Sequence, residues 1–303
     1  MTITQRVLGN RKLAPYLFLS PFFILFLTFG LYPIGFSIYI SLWRWTMRGA
    51  VEFVGLKNYV TLLTIDPFFW RSLMNTFWLL VFGSLAQHLF AIPLAITLNS
   101  TRLKGREFFK TAFFLPFITS TVAATLIFSQ LFDNNFGWIN YIVEAFGGEK
   151  VAWFTEPWPA KYMVASLVNW RFIGWNTIIY LAGLQAIPTQ LYESAEIDGA
   201  NRWQTHTRIT VPLLIPIIFF AVTMSIIGGM QLFDEPYVLM GGYETMGGPR
   251  NTGLTSAYYL MFTGWSAARF GKASAVAWLL FFVIIVLTII NRRVTNRLDK
   301  RAL

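Results

Sequence analysis

Side chains able to do acid–base, nucleophilic or metal chemistry are few in this sequence. His88 and His206 are its only histidines and cysteine is absent, so no disulfide framework, thiolate metal site or histidine-rich metal centre can be built. No HExxH or GxSxG run occurs. Gly271-Lys272 looks like the end of a phosphate-binding loop, but that pattern needs glycine at 266 and serine or threonine at 273, where Ser266 and Ala273 stand. The expectation is a chain without catalytic residues, cofactor or nucleotide of its own. Its densest titratable group is Glu193, Glu196 and Asp198, inside a polar segment running to Pro216 between two long apolar stretches. Acids so placed offer charge recognition rather than catalysis.

The elements that position these residues follow from composition. Of 303 residues, 55% are hydrophobic and 13% charged, with 30 Phe and 12 Trp, and the mean hydropathy is +0.54. A water-facing surface cannot carry this much apolar area. Apolar runs near the length needed to cross a hydrocarbon core of roughly 30 Å occur at about Leu13 to Leu42, Leu73 to Leu98, Thr111 to Phe132, Tyr162 to Leu184, Leu213 to Phe233 and Ala273 to Ile290. Backbone groups in lipid must bond internally, and the alternating strands of a barrel are missing from the sequence. The expected fold is all-α, a polytopic membrane protein of six transmembrane helices, with kinks at Pro21, Pro33, Pro93, Pro116 and Pro216. Residues 1–12 form an N-terminal segment, 13–291 the membrane domain with its polar loop at 185–212, and 292–303 a basic tail. The first run is too long for a signal-peptide core and has no small-residue cleavage site, so it reads as a retained helix.

Charge sets the orientation. Six spans place both termini on one side, with Arg6, Arg11, Lys12, Arg102, Lys104, Arg106, Lys110, Arg202, Arg208, Arg292, Arg293, Arg297, Lys300 and Arg301. The opposite loops balance their bases with acids. The positive-inside rule therefore puts both termini and the Glu193 segment in the cytoplasm. The formal charge of +10 reflects bases flanking spans beside anionic lipid headgroups, with no stripe or motif for nucleic acid.

Within the polar loop, Thr189 is the expected N-cap of a short helix through Ile197, Gly199 allows a change of direction, and a second helix runs from about Asn201 to Ile209. In the second span His88 reads as an uncharged, hydrogen-bonded bundle residue, with a proton relay as the alternative. The fourth span offers Asn169, Trp170, Arg171, Trp175 and Asn176, and the fifth Ser225, Gly228, Gly229, Gln231 and Asp234. Helices lining a path should present such polar or aromatic groups to the bundle interior.

The sequence Glu193-Ser194-Ala195, Gly199 and Ile209-Thr210-Val211-Pro212 resembles the cytoplasmic EAA loop of binding-protein-dependent ABC importer permeases. It departs at Ser194 for Ala and Val211 for Leu, keeping small or apolar volume. Further stretches are similar to carbohydrate permeases of the maltose and glycerol-phosphate type: Tyr16 to Pro21, Leu31-Tyr32-Pro33, Phe53 to Tyr59, Asn75-Thr76 and Phe270 to Ala275. The resemblance covers essentially the whole chain.

It implies a bacterial or archaeal cytoplasmic-membrane subunit that works with a second permease subunit, two cytoplasmic ABC ATPase subunits and an extracytoplasmic solute-binding protein, with a carbohydrate as solute. By position, Glu193 would pair with a basic group of the ATPase, Ala195 would permit close seating, Gly199 would turn the chain, and Asp198 lies in the same motif. Aligned on Leu184-Gln185 and Pro188, residues Arg171, Phe172, Trp175, Ser225, Gly228, Gly229 and Leu232 fall where the maltose type contacts sugar. The asparagine-rich stretch of that type is absent here. Structural roles stand beside these: packing for Trp175, helix crossing for Gly228-Gly229, pairing with an acid for Arg171. A glycerol phosphodiester, with Arg171 as anion contact, is the second solute class. A membrane enzyme or stand-alone transporter is the third reading, and would need an intramembrane acid pair or metal ligands. The long loop from Asp234 to Lys272 reads equally as a docking surface or a connector.

Overall fold

The computed structural model describes residues 14–100 and 103–302; the N-terminal segment 1–12, with Arg6, Arg11 and Lys12, and also Arg102, lie outside them. Helix α1 (Ala14–Phe26) passes through a π-helical turn, Leu27–Leu31, into α2 (Tyr32–Ser41). Pro33 lacks the N–H that would bond the Phe29 carbonyl, and the wider turn falls at that carbonyl. The same device recurs where α11 (Arg202–Thr205) joins α12 (Val211–Met230) through the π-helical turn His206–Thr210, with Pro212 having no N–H to offer the Arg208 carbonyl. The expected second short helix is thus the first turns of one continuous 29-residue stretch. Pro21, Pro93 and Pro216 sit inside helices that continue through them.

Between α2 and the next helix lies an element the all-α expectation lacked. Strands β1 (Trp43–Thr46) and β2 (Gly49–Phe53) pair antiparallel. Aromatic and polar residues alternate in β1, and Gly49 turns the hairpin at φ +95°. After α3 (Lys57–Thr64), helix α4 (Pro67–Leu79) starts at Asp66, whose carboxylate accepts from the N–H groups of Phe68 and Phe69 at 2.9 and 3.2 Å. A π turn, Leu80–Leu85, leads into α5 (Gln87–Asn99).

The third expected span is two helices, α6 (Arg106–Ile118) and α7 (Thr121–Leu131), bent by 97°. Pro116 frees the carbonyl four residues before it, and Thr119 and Ser120 then adopt extended backbone, so the helix cannot continue. Helix α8 (Trp138–Ala145) precedes α9 (Pro157–Gln185), a 29-residue helix packed along α5 and α6. Gly174 permits that packing, since a Cβ there would sit 1.7 Å from the Phe113 carbonyl oxygen. Four stretches are long and apolar enough to cross a membrane, Pro15–Ser41, Pro67–Asn99, Arg202–Met230 and Phe270–Arg297, and the bent pair makes a fifth. Helix α9, which holds the expected fourth span, has the length but a less apolar composition.

Helix α10 (Thr189–Ile197) stands at the end of the bundle where α9 finishes and α11 begins. At the opposite end, α13 (Asp234–Leu239), α14 (Gly242–Thr245), a 3-10 turn (Pro249–Asn251) and α15 (Ser256–Met261) fill the long loop before α16 (Phe270–Ala302). That loop is tied down. Asn75 Nδ2 donates to the carbonyls of Asn251 and Leu254, and Arg71 to the Asn251 side chain. Lys272 and Tyr259 both donate to the Asp66 carboxylate. Burial alone would raise the Asp66 carboxyl, but the Lys272 and Tyr259 hydrogen bonds, the Lys272 charge and the Phe69 N–H outweigh it and hold it below its ordinary value. The loop is therefore a folded cap rather than a loose connector.

Candidate functional sites: a central cavity and an exposed acidic helix

A cavity of about 120 Å³ lies between α9, α12 and the start of α5. Phe172, Trp175, Ser225, Gly228, Gly229 and Leu232 all line it, together with Ser84, Gln87 and Asn176. Residues of α9 three and four apart share its inward face. One wall is aromatic: Trp175 stacks on Phe117 with ring centroids 4.5 Å apart, and Phe117 meets Phe172 edge-on at 5.7 Å. Ser84, Gln87 and Ser225 add polar groups to a mostly apolar lining. The sequence reading passed over Ser84 and Gln87, although two polar residues three apart in an apolar span are a signal for an inward stripe.

The two glycines do different things. A Cβ on Gly229 would approach Ser84 Oγ to 2.5 Å and Leu80 Cδ1 to 2.8 Å, so this glycine lets α12 cross the Leu80–Leu85 turn. A Cβ on Gly228 would meet nothing within 4 Å. Gly228 leaves space in the cavity; Gly229 permits packing.

Arg171 is the exception among the expected cavity residues. It is buried, is not part of the lining, and donates to Glu235 of α13, itself buried. The pairing with an acid, one of the roles open from sequence, is the one the structure shows. Glu235 follows Asp234 directly, and nothing local in the sequence distinguishes which acid turns inward. Burial of both partners makes the pair a mutual requirement, because either charge left alone would be uncompensated.

His88 is buried and bonded on both ring nitrogens: Nδ1 lies 2.7 Å from the Tyr180 hydroxyl and Nε2 lies 3.0 Å from Ser225 Oγ. Among the described residues no group of histidines and acids is arranged to hold a metal ion.

The acidic helix is built differently. Its cap is Pro188, in extended backbone, one place before the expected Thr189, which is the first helical residue. At the other end the Ala200 N–H bonds the Ala195 carbonyl at 2.9 Å and the Gly199 N–H bonds the Glu196 carbonyl at 3.1 Å. With Gly199 at φ +74°, this is a Schellman stop, which needs a left-handed residue at that position. Asn201 and Gln204 then form a reciprocal capping box that restarts the chain as α11.

Two residues anchor α10 to the bundle. Tyr192 packs against the cluster of Ala91, Tyr180, Leu184 and Leu214, with its hydroxyl 3.3 Å from that of the buried Thr210. Ala195 is buried against its own chain. Glu193, Glu196 and Asp198 are exposed, beside Leu191, Ile197 and Trp203 at 42%, 86% and 76% exposure. Apolar side chains standing free among acids on a capped, anchored helix make a surface suited to a protein partner.

A helical membrane chain with a cavity between its helices and an exposed helix interrupting its spans has an architecture suited to a transport subunit. Residues 8–302 match the family described as binding-protein-dependent transport system inner membrane component, and the chain belongs to that family. It is 38% identical to the arabinooligosaccharides transport system permease protein of Bacillus subtilis (strain 168), over 95% of this chain and 90% of the relative. It is 37% identical to the lactose transport system permease protein of Rhizobium radiobacter, over 91% and 92% respectively. Among solved structures, a chain of a bacterial alginate ABC transporter in complex with an alginate pentasaccharide-bound periplasmic protein is similar with a TM-score of 0.81, 25% identity and 98% coverage of both chains. The chain is an inner-membrane transport component, not a catalytic subunit.

Proposed function

We propose that the chain is one of two permease subunits of an ATP-driven importer of di- or oligosaccharides. In this reading the bent pair and α9 complete six crossings, both termini are cytoplasmic, and the cavity between α9 and α12 is part of the solute path. Helix α10 docks in a cytoplasmic ATPase, with Glu193 and Asp198 offered to basic groups and Gly199 fixing the turn that transmits motion. The opposite face, capped by α13 to α15, meets the solute-binding protein.

The observation that carries the sugar reading is the meeting, in one cavity, of the Trp175 and Phe172 rings with Gln87, Asn176 and Ser225. Apolar ring faces stack on the first set and hydroxyls bond to the second. The glycerol phosphodiester reading asks for a cation at the cavity. Arg171, the residue it would use, is committed to Glu235. The similarity to arabinooligosaccharide and lactose permeases adds to the same side.

The test is uptake of labelled arabinotriose, lactose, maltose and glycerophosphocholine by cells carrying the complete importer. Transport of a saccharide that falls at least about tenfold in Trp175→Ala, where a stacking contact of about 1.4 kcal/mol is removed, supports the reading. Transport of glycerophosphocholine alone would overturn it.

A further inference from the structure

The three helices that surround the cavity are joined by a chain of hydrogen bonds, Tyr180 to His88 to Ser225, and its direction is decided by its buried end. Tyr180 is fully buried, and its hydroxyl has His88 Nδ1, at 2.7 Å, as its only hydrogen-bond partner among the described residues. If Nδ1 carried the imidazole proton, the Tyr180 hydrogen would be left in the core without an acceptor, a cost of about 1–3 kcal/mol. The hydroxyl therefore donates to Nδ1. A neutral imidazole then carries its proton on Nε2, which donates to Ser225 Oγ at 3.0 Å.

Ser225 is consequently an acceptor on its protein side. Gln87 Nε2 also points at the same oxygen, at 3.5 Å, while donating to the Ser84 carbonyl at 2.6 Å. With neighbours presenting N–H groups to its oxygen, and no acceptor for its own hydrogen among the described residues, the Ser225 hydroxyl is left as a donor beside the cavity it lines. Gln87 Oε1, buried in the same wall, has no partner among the described residues. A donor hydroxyl at that point of the wall matches an acceptor oxygen of a solute.

We infer that Tyr180 and His88 are positioning residues which hold the Ser225 hydroxyl as a fixed donor toward the solute, selecting an acceptor oxygen at that point of the path. Neither Tyr180 nor His88 lines the cavity; they act through Ser225. The inference rests on the reading of the cavity as the solute path, and deepens it by assigning the polarity of one wall.

Two measurements on the intact importer test it. The chain has two histidines, so a 15N-histidine spectrum of the importer reassembled with only this subunit labelled, assigned with His206→Gln, reads the His88 tautomer without any solute. The expected result is a neutral ring protonated on Nε2, with Tyr180→Phe spreading the proton over both nitrogens; a proton on Nδ1 in the unaltered chain overturns the inference. The second is uptake kinetics with whichever of arabinotriose, lactose or maltose the importer carries. Ser225→Ala should raise KM about three- to tenfold, the worth of one hydrogen bond, Tyr180→Phe should raise it less, and the double variant should match Ser225→Ala alone. Additive losses overturn the inference while leaving the path reading intact. An unchanged KM in Ser225→Ala overturns the path reading and the inference with it.

Discussion

The cavity between α9 and α12 and the acidic helix α10 treat polar groups in opposite ways. Around the cavity the charged and titratable side chains are already engaged: Arg171 with Glu235, His88 with Tyr180 and Ser225. On α10 the acids stand in solvent, while the side chains that hold the helix in place, Tyr192 and Ala195, are turned inward. An internally bonded site presents a fixed pattern to a small neutral molecule. A surface of free acids and bare Ile197 and Trp203 suits a macromolecular partner. In the proposed function the first is a recognition wall and the second a lever, and the 29-residue helix α9 runs from one to the other.

The comparison breaks most severely if the internal pairing is opened. Arg171→Ala leaves Glu235 buried without a counter-charge and should cost about 3–5 kcal/mol, seen as a lowered melting temperature in detergent. Replacing both Arg171 and Glu235 by Met should recover most of it. A single loss below about 1 kcal/mol would mean that the pair is solvated. Next in size are the lever variants. Glu193→Lys and Gly199→Asp should reduce uptake about thirtyfold, the scale of a lost hot-spot contact near 2 kcal/mol, with normal amounts of subunit in the membrane by immunoblot.

The two adjacent glycines sharpen the contrast within the cavity. Gly229→Val forces a side chain into Ser84 and Leu80 and should destabilise by about 1–3 kcal/mol. Gly228→Val enters open space, and should leave the melting temperature unchanged while slowing uptake. Smaller still is an acid effect at the far cap. The folded Asp66 carboxyl is held below its ordinary value of 3.8, so its contribution is present above that pH and disappears as pH falls through the folded value. Asp66→Asn should abolish that acid-side dependence of the melting temperature. Arg44→Ala, which removes an exposed partner of Glu52 at 2.8 Å, should change stability by no more than about 1 kcal/mol.

What the sequence made legible was whatever depends on local chemistry. The turn at Gly199 needs a residue tolerant of positive φ, and glycine in a polar run announces it. Phe172 and Trp175 on α9, and Ser225, Gly228, Gly229 and Leu232 on and just after α12, came from resemblance, and the structure places them around one cavity. Properties set by distant partners were hidden. Arg171 and Glu235 are 64 positions apart, and only packing decides that Glu235 rather than Asp234 turns inward. The size of Ala195 is visible in sequence, while its burial against its own chain is not. The 97° break at Thr119-Ser120 was read as a single span, since apolar content persists across it and only two residues carry the change. The β1–β2 hairpin is too short to register in a chain dominated by apolar helices.

The lever is the claim on which the importer reading turns, and the absence of cysteine makes it directly testable. Ile197→Cys places one thiol on the outward face of α10, at a side chain 86% exposed, and Ile142→Cys places one on α8 at the opposite end. After mild oxidative or maleimide cross-linking in native membranes, the 197 variant should form an adduct whose second component is an ABC ATPase, and the 142 variant should not. An intact importer that gives no ATPase adduct from position 197, or gives one from position 142, would contradict the account.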